Sequence, residues 1–466
     1  MNKIVKLFKN TLIFGIGNIG SKLIQFIAVP MFTMYLTTGE YGEADLLTVI
    51  VSLALPFFSF CLYDAILRFI IDERKYEKSI VSSSIFVIGI IIIFLFLIIV
   101  ILSFMDFKNV DLYIVTVIFL IAQMIQSLLA QYVKAVDKNW EYAMNGLLLS
   151  FFILILSFVL FHVLSNRLFA YFFAQIFAYL ISSAFLLFCL RDRVIFEFKS
   201  VKKIWIKKLM SYSLPLIPNQ IMWWMMNTSD RLLVTMFLGL STNGLYAVAA
   251  KIPSLTNVIV TIFMQAWQIS SFENAKDSNK DSFFSAVFNN LIYCLVIFSS
   301  LVISFLMFIM TILAAKEYFT SWKYVPLLLI GGLFSNISMF LGINYLVGKN
   351  TIGIFRTSVI GAILNVLLNL VLIPKMGANG ASVSTFVSYF VVCAIRFFET
   401  RKMVKINLDF KLMISSVLVL TIQIVLLYLG FIKFQIILPL IFFLINFKYI
   451  KNAYGMLDNF IKTSKK

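Results

Sequence analysis

Charged residues are scarce in this sequence. They make up 13% of its 466 residues, whereas soluble domains carry about 25%. Apolar residues account for 61% and the mean hydropathy is +0.98, which is more apolar surface than a soluble fold of this length can bury. The chain is therefore predicted to be an integral membrane protein. Its apolar runs are continuous and do not alternate, which favours membrane-spanning helices over a β-barrel.

Side chains that carry metal, redox or hydrolytic chemistry are also rare. His162 is the only histidine, and the four cysteines lie singly within apolar runs with no C-x-x-C pair, so neither a disulfide framework nor a zinc site is indicated. The string from Gly342 to Lys349 departs from P-loop spacing. Gly15 to Gly20 match G-x-G-x-x-G inside an apolar span, which favours close helix packing over a dinucleotide site. No cofactor and no enzymatic activity are predicted.

Basic residues are distributed unevenly along the chain. Apolar runs predict fourteen spans between residues 11 and 448, with the first at 11–36, the second at 44–71, the seventh at 210–238 and the eighth at 245–271. With the N-terminus inside, the inner segments carry 27 of the 39 Lys and Arg residues and the outer loops carry six. This positive-inside bias explains the net charge of +18 without a nucleic-acid partner. A multi-pass protein of the cytoplasmic membrane, with both termini in the cytoplasm, is predicted.

The longest connection divides the chain. It is rich in basic and aromatic residues and predicts an amphipathic segment on the inner membrane surface. Six predicted spans precede it and eight follow. The predicted organisation is an N-terminal six-helix lobe at 1–190, the basic linker at 191–209, a C-terminal six-helix lobe at 210–400, and helices 13 and 14 with a basic cytoplasmic tail at 401–466.

An internal repeat supports this division. When the sequence is shifted by 202 positions, residues 32–44 align with residues 234–246, and Gly42 falls on Gly244. Both windows contain the end of a lobe's first span, a glycine-containing outer turn and the start of its second span. Parallel halves of this kind are a transporter architecture.

Several charged residues lie within the predicted spans. They are Lys22, Asp64, Arg68, Asp230, Arg231, Lys251, Arg356 and Arg396. A charge at mid-bilayer costs at least about 2.5–3.5 kcal/mol, so it normally faces a polar interior. Lys22 lies roughly 16 Å into the hydrocarbon core, too deep to reach either surface easily. Arg231 and Lys251 lie about 10 Å deep, while the other three arginines lie near inner ends, where snorkelling is an alternative.

Six of these residues are cations and two are carboxylates. A cavity shared by them would be positive and would select an anionic substrate such as a phosphate or diphosphate. The predicted substrate-binding residues are Lys22, Arg231, Lys251, Arg68 and Arg356. Asp64 and Arg68 are four residues apart on one helix face and can pair. Asp230 points about 100° away from Arg231 and is expected to have a different partner.

Three stretches of the chain each contain sequence features that are typical of a known family. SDRLLVTMFLGLSTNGLYAVAAKIPSL (229–255) combines an Asp, an apolar run, a Gly-containing turn, Gly-x-Tyr and Lys-x-Pro. GAILNVLLNLVLIPKMGANGASVSTFV (361–387) combines Leu-Asn, Asn, Ile-Pro and Gly-x-x-Gly-Ala. NTLIFGIGNIGSKLIQFIAVPMFTMYLTTGEYGEADL (10–46) contains an opening span and turn. In these features the chain resembles the polysaccharide-transport family, the Wzx-like oligosaccharide flippases of the multidrug/oligosaccharidyl-lipid/polysaccharide exporter (MOP) superfamily.

The resemblance implies a fold and a function. The fold is all-α and integral to the membrane, with about 14 transmembrane helices arranged as two six-helix lobes around a central cavity plus two C-terminal helices. The function is export of undecaprenyl-diphosphate-linked oligosaccharide from the inner to the outer leaflet of the bacterial membrane by alternating access. The partners are this lipid-linked substrate, membrane lipids and other polysaccharide-assembly membrane proteins. A proton or sodium gradient could drive the cycle, with Asp64 and Asp230 as the predicted ion-coupling groups.

Three other functions remain open from the sequence. A lipid II flippase also carries a lipid diphosphate, and the residues do not separate it from an oligosaccharide flippase. A drug/cation antiporter of the same superfamily predicts that carboxylates dominate the cavity, which is the opposite of the charge count here. A polytopic polymerase or ligase of lipid-linked glycans is disfavoured by the short outer loops and by the lack of a convergent His or carboxylate pair.

Overall fold

The computed structural model describes residues 3–104, 110–193, 196–274, 277, 279–348 and 350–449. All regular secondary structure in these residues is helical. The helices, numbered in chain order, are α1 Lys3–Tyr35, α2 Thr38–Phe58, α3 Leu62–Asp72, α4 Glu77–Ser103, α5 Val110–Ala135, α6 Asn139–Val163, α7 Arg167–Cys189, α8 Lys203–Ser213, α9 Leu216–Leu238, α10 Leu240–Glu273, α11 Lys280–Ser304, α12 Leu306–Leu313, α13 Val325–Val347, α14 Thr351–Met376, α15 Ala378–Thr400, α16 Phe410–Tyr428 and α17 Ile437–Ile445.

Membrane-spanning helices account for most of the described chain. In those residues, ten helical segments are long and apolar enough to cross a bilayer. The predicted first, seventh and eighth spans correspond to α1, α9 and α10, which are more polar because they carry Lys22, Asp230 with Arg231, and Lys251. The short apolar α17 corresponds to the last span. The prediction of an all-α integral membrane protein with about fourteen spans is confirmed.

The predicted second span is not one continuous helix. It is divided into α2 and α3 by a turn at residues 59–61, in which Phe60 and Cys61 have φ angles of 49° and 53°. Residues other than glycine adopt this left-handed region at a cost of roughly 1–2 kcal/mol each. Pro56 lies in the last turn of α2, and the Ser59 hydroxyl donates to the Leu55 carbonyl at 2.6 Å. The break gives α3 its own N-terminus within the span.

By their internal contacts, the residues form two compact units, 1–247 and 248–466. In the first unit, α6 packs between α1 and α7, and α5 packs on α7. In the second unit, α15 packs on both α13 and α14, while α16 and α17 pack on α11. The predicted division into lobes at 191–209 stays a prediction, and most of the predicted basic tail, from residue 450 onward, lies outside the described residues.

Two features at the predicted inner side of the first unit follow sequence patterns. Within the predicted basic linker, α8 begins at Lys203 and buries Trp205 and Leu209 against α3 and α4, as an amphipathic helix does. The glycine pattern of α1 allows close packing on α6. A Cβ at Gly17 would lie 2.9 Å from the Ala143 Cβ, and a Cβ at Gly20 would lie 2.4 Å from a Leu147 methyl carbon. Helix packing therefore requires glycine at position 17, where the contact is with the Cβ and backbone of Ala143, whereas the Leu147 side chain can move away from position 20.

Candidate functional site

A buried polar group joins α2, α9 and the start of α10 at the predicted outer side of the first unit. We call it the outer cluster; its members are Asp45, Asp230, Arg231, Asn243 and Tyr246. The Arg231 guanidinium donates to Asp45 Oδ1 at 2.6 Å, and the two side chains are 20% and 8% exposed. Because this pair is largely shielded from water, its attraction is stronger than that of a surface pair. The pair connects α2 to α9, which are far apart in the sequence.

The second carboxylate of the outer cluster has its own partners. Asp230 accepts hydrogen bonds from the Tyr246 hydroxyl at 2.6 Å and from the Arg231 backbone N–H at 2.9 Å. Asn243 donates to the Gly42 carbonyl at 2.9 Å and to Asp45 Oδ2 at 3.4 Å. The expectation that Asp230 and Arg231 serve different partners is confirmed. The cluster contains two carboxylates and one cation, so its own balance is not positive.

The two outer turns of the predicted repeat touch each other beside this cluster. A Cβ at Gly42 would lie 1.9 Å from the Leu240 carbonyl oxygen, and a Cβ at Gly244 would lie 2.0 Å from the Thr38 carbonyl oxygen. The 202-residue shift relates Gly42 to Gly244 and Thr38 to Leu240, so the two contacts are reciprocal. This is the arrangement that a repeat with a two-fold relation predicts. Glycine is required at both positions because backbone approaches backbone there.

A polar row follows one face of α1. Asn18, Lys22 and Gln25 are spaced by four and three residues, so they share a face. The Lys22 ammonium donates to Gln25 Oε1 at 3.1 Å, and the Gln25 amide donates to the Ser150 hydroxyl of α6 at 3.4 Å. Among the residues that the structure describes, no carboxylate lies within 4 Å of Lys22. Its positive charge is therefore held by an amide and is not neutralised by a described carboxylate.

The break in the second span positions Asp64. This residue lies in the first turn of α3, where the helix dipole favours a negative charge, and its described neighbours include Gln220 and Lys134. The pair that helical spacing allows between Asp64 and Arg68 does not form. Arg68 forms its ion pair with Asp72 at 2.9 Å, one turn in the other direction, and both side chains are exposed. Asp64 lies near the helix N-terminus and interacts with other groups. Asp72, one turn after Arg68 on the same face, is therefore the carboxylate that pairs with Arg68.

The predicted cations of the second unit lie in different surroundings. Arg356 pairs with Glu399 at 2.5 Å, and Glu399 also accepts the Tyr345 hydroxyl at 2.6 Å. Lys251 is half-buried in α10, and its carbonyl accepts the Ser254 hydroxyl.

Arg396 is 5% exposed in the second unit, so its side chain is enclosed by protein. Its guanidinium donates to the hydroxyls of Thr357, Ser338 and Ser358 and to the Ser338 carbonyl, so it connects α13, α14 and α15. These partners satisfy its donors with neutral oxygen atoms. Arg396 therefore acts as a packing element within the second unit.

Three of the five predicted substrate-binding cations are thus paired with carboxylates that the charge count did not include. Asp45 and Glu399 lie at the ends of their predicted spans, and Asp72 is the last residue of α3. Carboxylates at span ends are ordinarily assigned to the membrane surface, so their partners could not be found from the sequence alone. Lys22 is the predicted cation of the first unit without such a partner among the described residues. The substrate-binding and coupling roles stay predictions.

Comparison with known proteins identifies a family and a fold that this chain matches. The profile of the family described as "Polysaccharide biosynthesis protein" matches residues 7–268. No curated protein sequence matches the chain significantly. Among solved structures, the lipid II flippase MurJ in an inward closed conformation is similar with a TM-score of 0.67 and 12% identity, over 96% of this chain and 99% of that one.

Two further solved structures belong to the MOP superfamily. An inward-facing multidrug resistance MATE family transporter is similar with a TM-score of 0.66 and 13% identity, over 82% of this chain and 94% of that one. A MOP superfamily transporter from Pyrococcus furiosus is similar with a TM-score of 0.54 and 13% identity, over 85% and 96% of the two chains. At these identities the likeness establishes a fold shared with MurJ and MATE transporters.

Proposed function

We propose that this chain, which belongs to the polysaccharide biosynthesis protein family, is a flippase that moves undecaprenyl-diphosphate-linked oligosaccharide from the inner to the outer leaflet of the bacterial cytoplasmic membrane. The family match and the MOP superfamily fold support a transporter of lipid-linked glycan intermediates. The multi-pass membrane architecture fits the same role. The identity of the substrate, the direction of its transport and the assignment to the bacterial cytoplasmic membrane are our proposals.

The observation that carries the proposal is the environment of Lys22. An ammonium within a membrane span costs several kcal/mol unless polar groups receive it, and here its described partner is the neutral Gln25 amide. A diphosphate that approached α1 would supply the missing negative charge. Its polyprenyl chain would remain in lipid while the sugar crosses within the protein. The exchange of water for a fixed ammonium and amides lets the charged headgroup leave the aqueous phase.

The outer cluster fits a protein that works by alternating access. The contact between the turns at Gly42 and Gly244, together with the Arg231–Asp45 pair, would hold the outer ends of α2 and α9 together before substrate release. Separation of these ends would break two backbone contacts and one ion pair at the same time. Asp64, at the N-terminus of α3, is the proposed site at which a proton or sodium ion drives this change.

A lipid II flippase is the second candidate, because the structure of MurJ matches this chain over almost its whole length. The two functions share a lipid diphosphate and differ in the glycan. A drug/cation antiporter would carry the opposite charge and is disfavoured by the Lys22 environment. Other membrane proteins of polysaccharide assembly are the expected partners of an oligosaccharide flippase.

The experiment replaces Lys22 with Met, which keeps the length of the side chain and removes its charge. We expect at least a tenfold loss of surface glycan, or about 1.4 kcal/mol, in a strain that depends on this chain, at unchanged protein level. Arg74→Met is the matched control, since Arg74 lies outside the predicted site and pairs with Asp137 on the surface, and it should retain most of the glycan. Normal glycan in the Lys22 variant would refute the proposal. Growth of a strain depleted of its lipid II flippase would assign lipid II as the substrate instead.

A further inference from the structure

A pocket of about 440 Å³ lies within the second unit, where α14 begins and α15 ends. Both of these helix ends belong to the predicted inner side of the membrane. The charged residues of the lining are Arg356, Glu399 and Lys402, and the polar ones are Tyr345 and Asn350. The volume falls within the roughly 300–1,000 Å³ that is typical of small-ligand sites. The pocket therefore has room for a ligand that the proposed function does not use.

The lining of this pocket carries an unbalanced positive charge. Glu399 accepts the Arg356 guanidinium at 2.5 Å on one carboxylate oxygen and the Tyr345 hydroxyl at 2.6 Å on the other. Lys402 lies close enough to Glu399 to interact with its charge, but its ammonium forms no ion pair with the residues that the structure describes. Two cations therefore share one carboxylate, and both oxygens of that carboxylate already have partners. One further negative charge would balance the lining.

The hydrogen-bond donors of the pocket are also incompletely used. An arginine side chain has five N–H donors, and among the described residues only the Nη2 atom of Arg356 has an acceptor. The Lys402 ammonium adds three more donors. At the start of α14 the Asn350 side chain accepts the Gly353 N–H at 3.0 Å, and the first N–H groups of a helix favour an anion. The donors, the helix terminus and the net charge all select an oxyanion.

An apolar face of α14 continues from the pocket into the membrane. Together with Arg356, its exposed residues follow one another at intervals of three or four positions, so they share one helix face. They are Ile352, Ile360, Ile363 and Leu367. This face extends about 22 Å along the helix axis. On α15, the exposed Phe398 side chain lines the same pocket. A ligand with an anionic head and a hydrocarbon chain fits both the pocket and the face.

The charge of the lining distinguishes between lipids of this kind. Phosphatidylglycerol carries one negative charge, which matches the excess of one cation. Phosphatidylcholine and phosphatidylethanolamine carry an ammonium as well, and the Glu399 carboxylate that would receive it is already occupied. A lipid diphosphate carries more negative charge than the lining can balance. Basic pockets between helices on the cytoplasmic side of a membrane bind anionic lipid headgroups.

We propose that this pocket binds the phosphate of phosphatidylglycerol from the inner leaflet, with an acyl chain along the apolar face of α14. The inference goes beyond the proposed function, because this lipid remains bound while another is transported. Its phosphate would connect Arg356 of α14 with Lys402, which follows α15, and so hold the inner ends of the two helices together. Arg356 then serves a resident membrane lipid, and the second unit depends on the anionic lipid content of the membrane.

The test measures lipid binding by the purified full chain in a neutral detergent. Phosphatidylglycerol and phosphatidylcholine with identical acyl chains are titrated separately, and native mass spectrometry gives the affinity of the first bound lipid. We expect the wild type to bind phosphatidylglycerol at least tenfold more tightly than phosphatidylcholine. Lys402→Gln should weaken phosphatidylglycerol binding about fivefold, because one basic residue near an anionic lipid surface contributes about 1 kcal/mol. Lys402 is exposed, so this variant should fold, and its affinity for phosphatidylcholine should not change.

Lys405→Gln is the matched control. Lys405 is exposed and lies three residues further along the same predicted inner segment, outside the pocket. Loss of its charge therefore measures the general attraction of anionic lipid to this surface, and phosphatidylglycerol binding should persist. Equal affinities of the wild type for the two lipids, or equal losses in the Lys402 and Lys405 variants, would overturn the inference.

Two competitors distinguish the possible sources of the phosphate. Neither farnesyl diphosphate nor inorganic phosphate should displace phosphatidylglycerol at equal concentration, because the first carries excess negative charge and the second cannot use the apolar face of α14. Displacement by farnesyl diphosphate would assign the pocket to a lipid diphosphate, and displacement by inorganic phosphate would assign it to the free anion. Either result would overturn the assignment to a phospholipid.

Discussion

Cysteines at positions 39 and 241 should form a disulfide that arrests transport. The two positions belong to the outer turns that touch beside the outer cluster, and the 202-residue shift relates them to each other. A Cβ at Gly39 would lie 3.5 Å from the Ser241 Oγ, so it lies within about 5 Å of the Ser241 Cβ, which is close to the roughly 3.5–4.5 Å between the Cβ atoms of disulfide-bonded cysteines. Gly39→Cys and Ser241→Cys can therefore be bridged with little backbone movement.

The size of the effect follows from how far the turns must move. An oxidised pair holds the two Cα atoms within about 7 Å of each other, so the outer ends of α2 and α9 cannot separate. If alternating access requires that separation, turnover should fall at least tenfold, a rise in barrier of at least about 1.4 kcal/mol. Reduction should restore turnover, because cysteine is nearly isosteric with Ser241, and a Cβ at position 39 would meet no atom closer than 3.5 Å.

The assay measures translocation of a fluorescent lipid-linked saccharide in proteoliposomes before and after reduction. The four native cysteines, Cys61, Cys189, Cys294 and Cys393, are first replaced by serine or alanine. Mass spectrometry of the linked peptides gives the fraction that is oxidised. A protein with a complete disulfide between positions 39 and 241 and with undiminished turnover would refute the assignment of these turns as the outer gate.

The control is a second pair at similar distance within one unit. A Cβ at Gly331 would lie 3.3 Å from the Thr385 γ-carbon, where α13 packs on α15. Gly331→Cys with Thr385→Cys should form a disulfide between helices that move together. Turnover should then be the same in the oxidised and reduced protein. A loss in this pair as well would indicate general damage by oxidation.

Two further predictions concern charge pairs. Arg231→Gln should destabilise the protein by about 3–5 kcal/mol, because it leaves Asp45 buried without its cation. Addition of Asp45→Asn should recover at least half of this loss in thermal unfolding, and no recovery would contradict the pair. Hydrogen bonds from the Lys448 ammonium and the Tyr449 hydroxyl lower the pKa of Asp409 to about 2. The ionised Asp409 carboxylate therefore stabilises the folded protein above about pH 4, and this stabilisation is lost as the pH falls towards 2. The difference in unfolding temperature between wild type and Asp409→Asn should shrink over that range, and a constant difference would contradict it.

The helical membrane fold could be predicted because it depends on local quantities. The length of each apolar run and the side on which basic residues lie are both visible in the sequence, and they place helices over the predicted spans. The break at Phe60 and Cys61 could not be predicted in this way. Neither residue is glycine, and Pro56 alone predicts a kink and not a second helix N-terminus.

The charge pairs of the site could be predicted less well from the sequence. Arg68 is four residues from both Asp64 and Asp72, so helical spacing allows either pair. The choice depends on the helix break, which places Asp64 in the first turn of α3 near Gln220. The Arg231–Asp45 pair depends on contact between helices that are distant in sequence. Such pairs require tertiary structure, and so does the reciprocal glycine contact, because the repeat indicated only that Gly42 and Gly244 are equivalent positions.

Pairing also changes the meaning of the predicted cations. Arg231 is neutralised by Asp45 beside the turns that carry Gly42 and Gly244, which are in contact. Separation of these turns would release Arg231 towards any anion nearby, whereas Lys22 has no comparable carboxylate among its described neighbours. The two residues would therefore act at different stages, with Lys22 holding the diphosphate while the outer ends are closed and Arg231 competing for it as they open. In that case Asp45→Asn, which frees Arg231 permanently, should strengthen binding of farnesyl diphosphate by the closed protein. An unchanged affinity would restrict Arg231 to its role in the outer cluster.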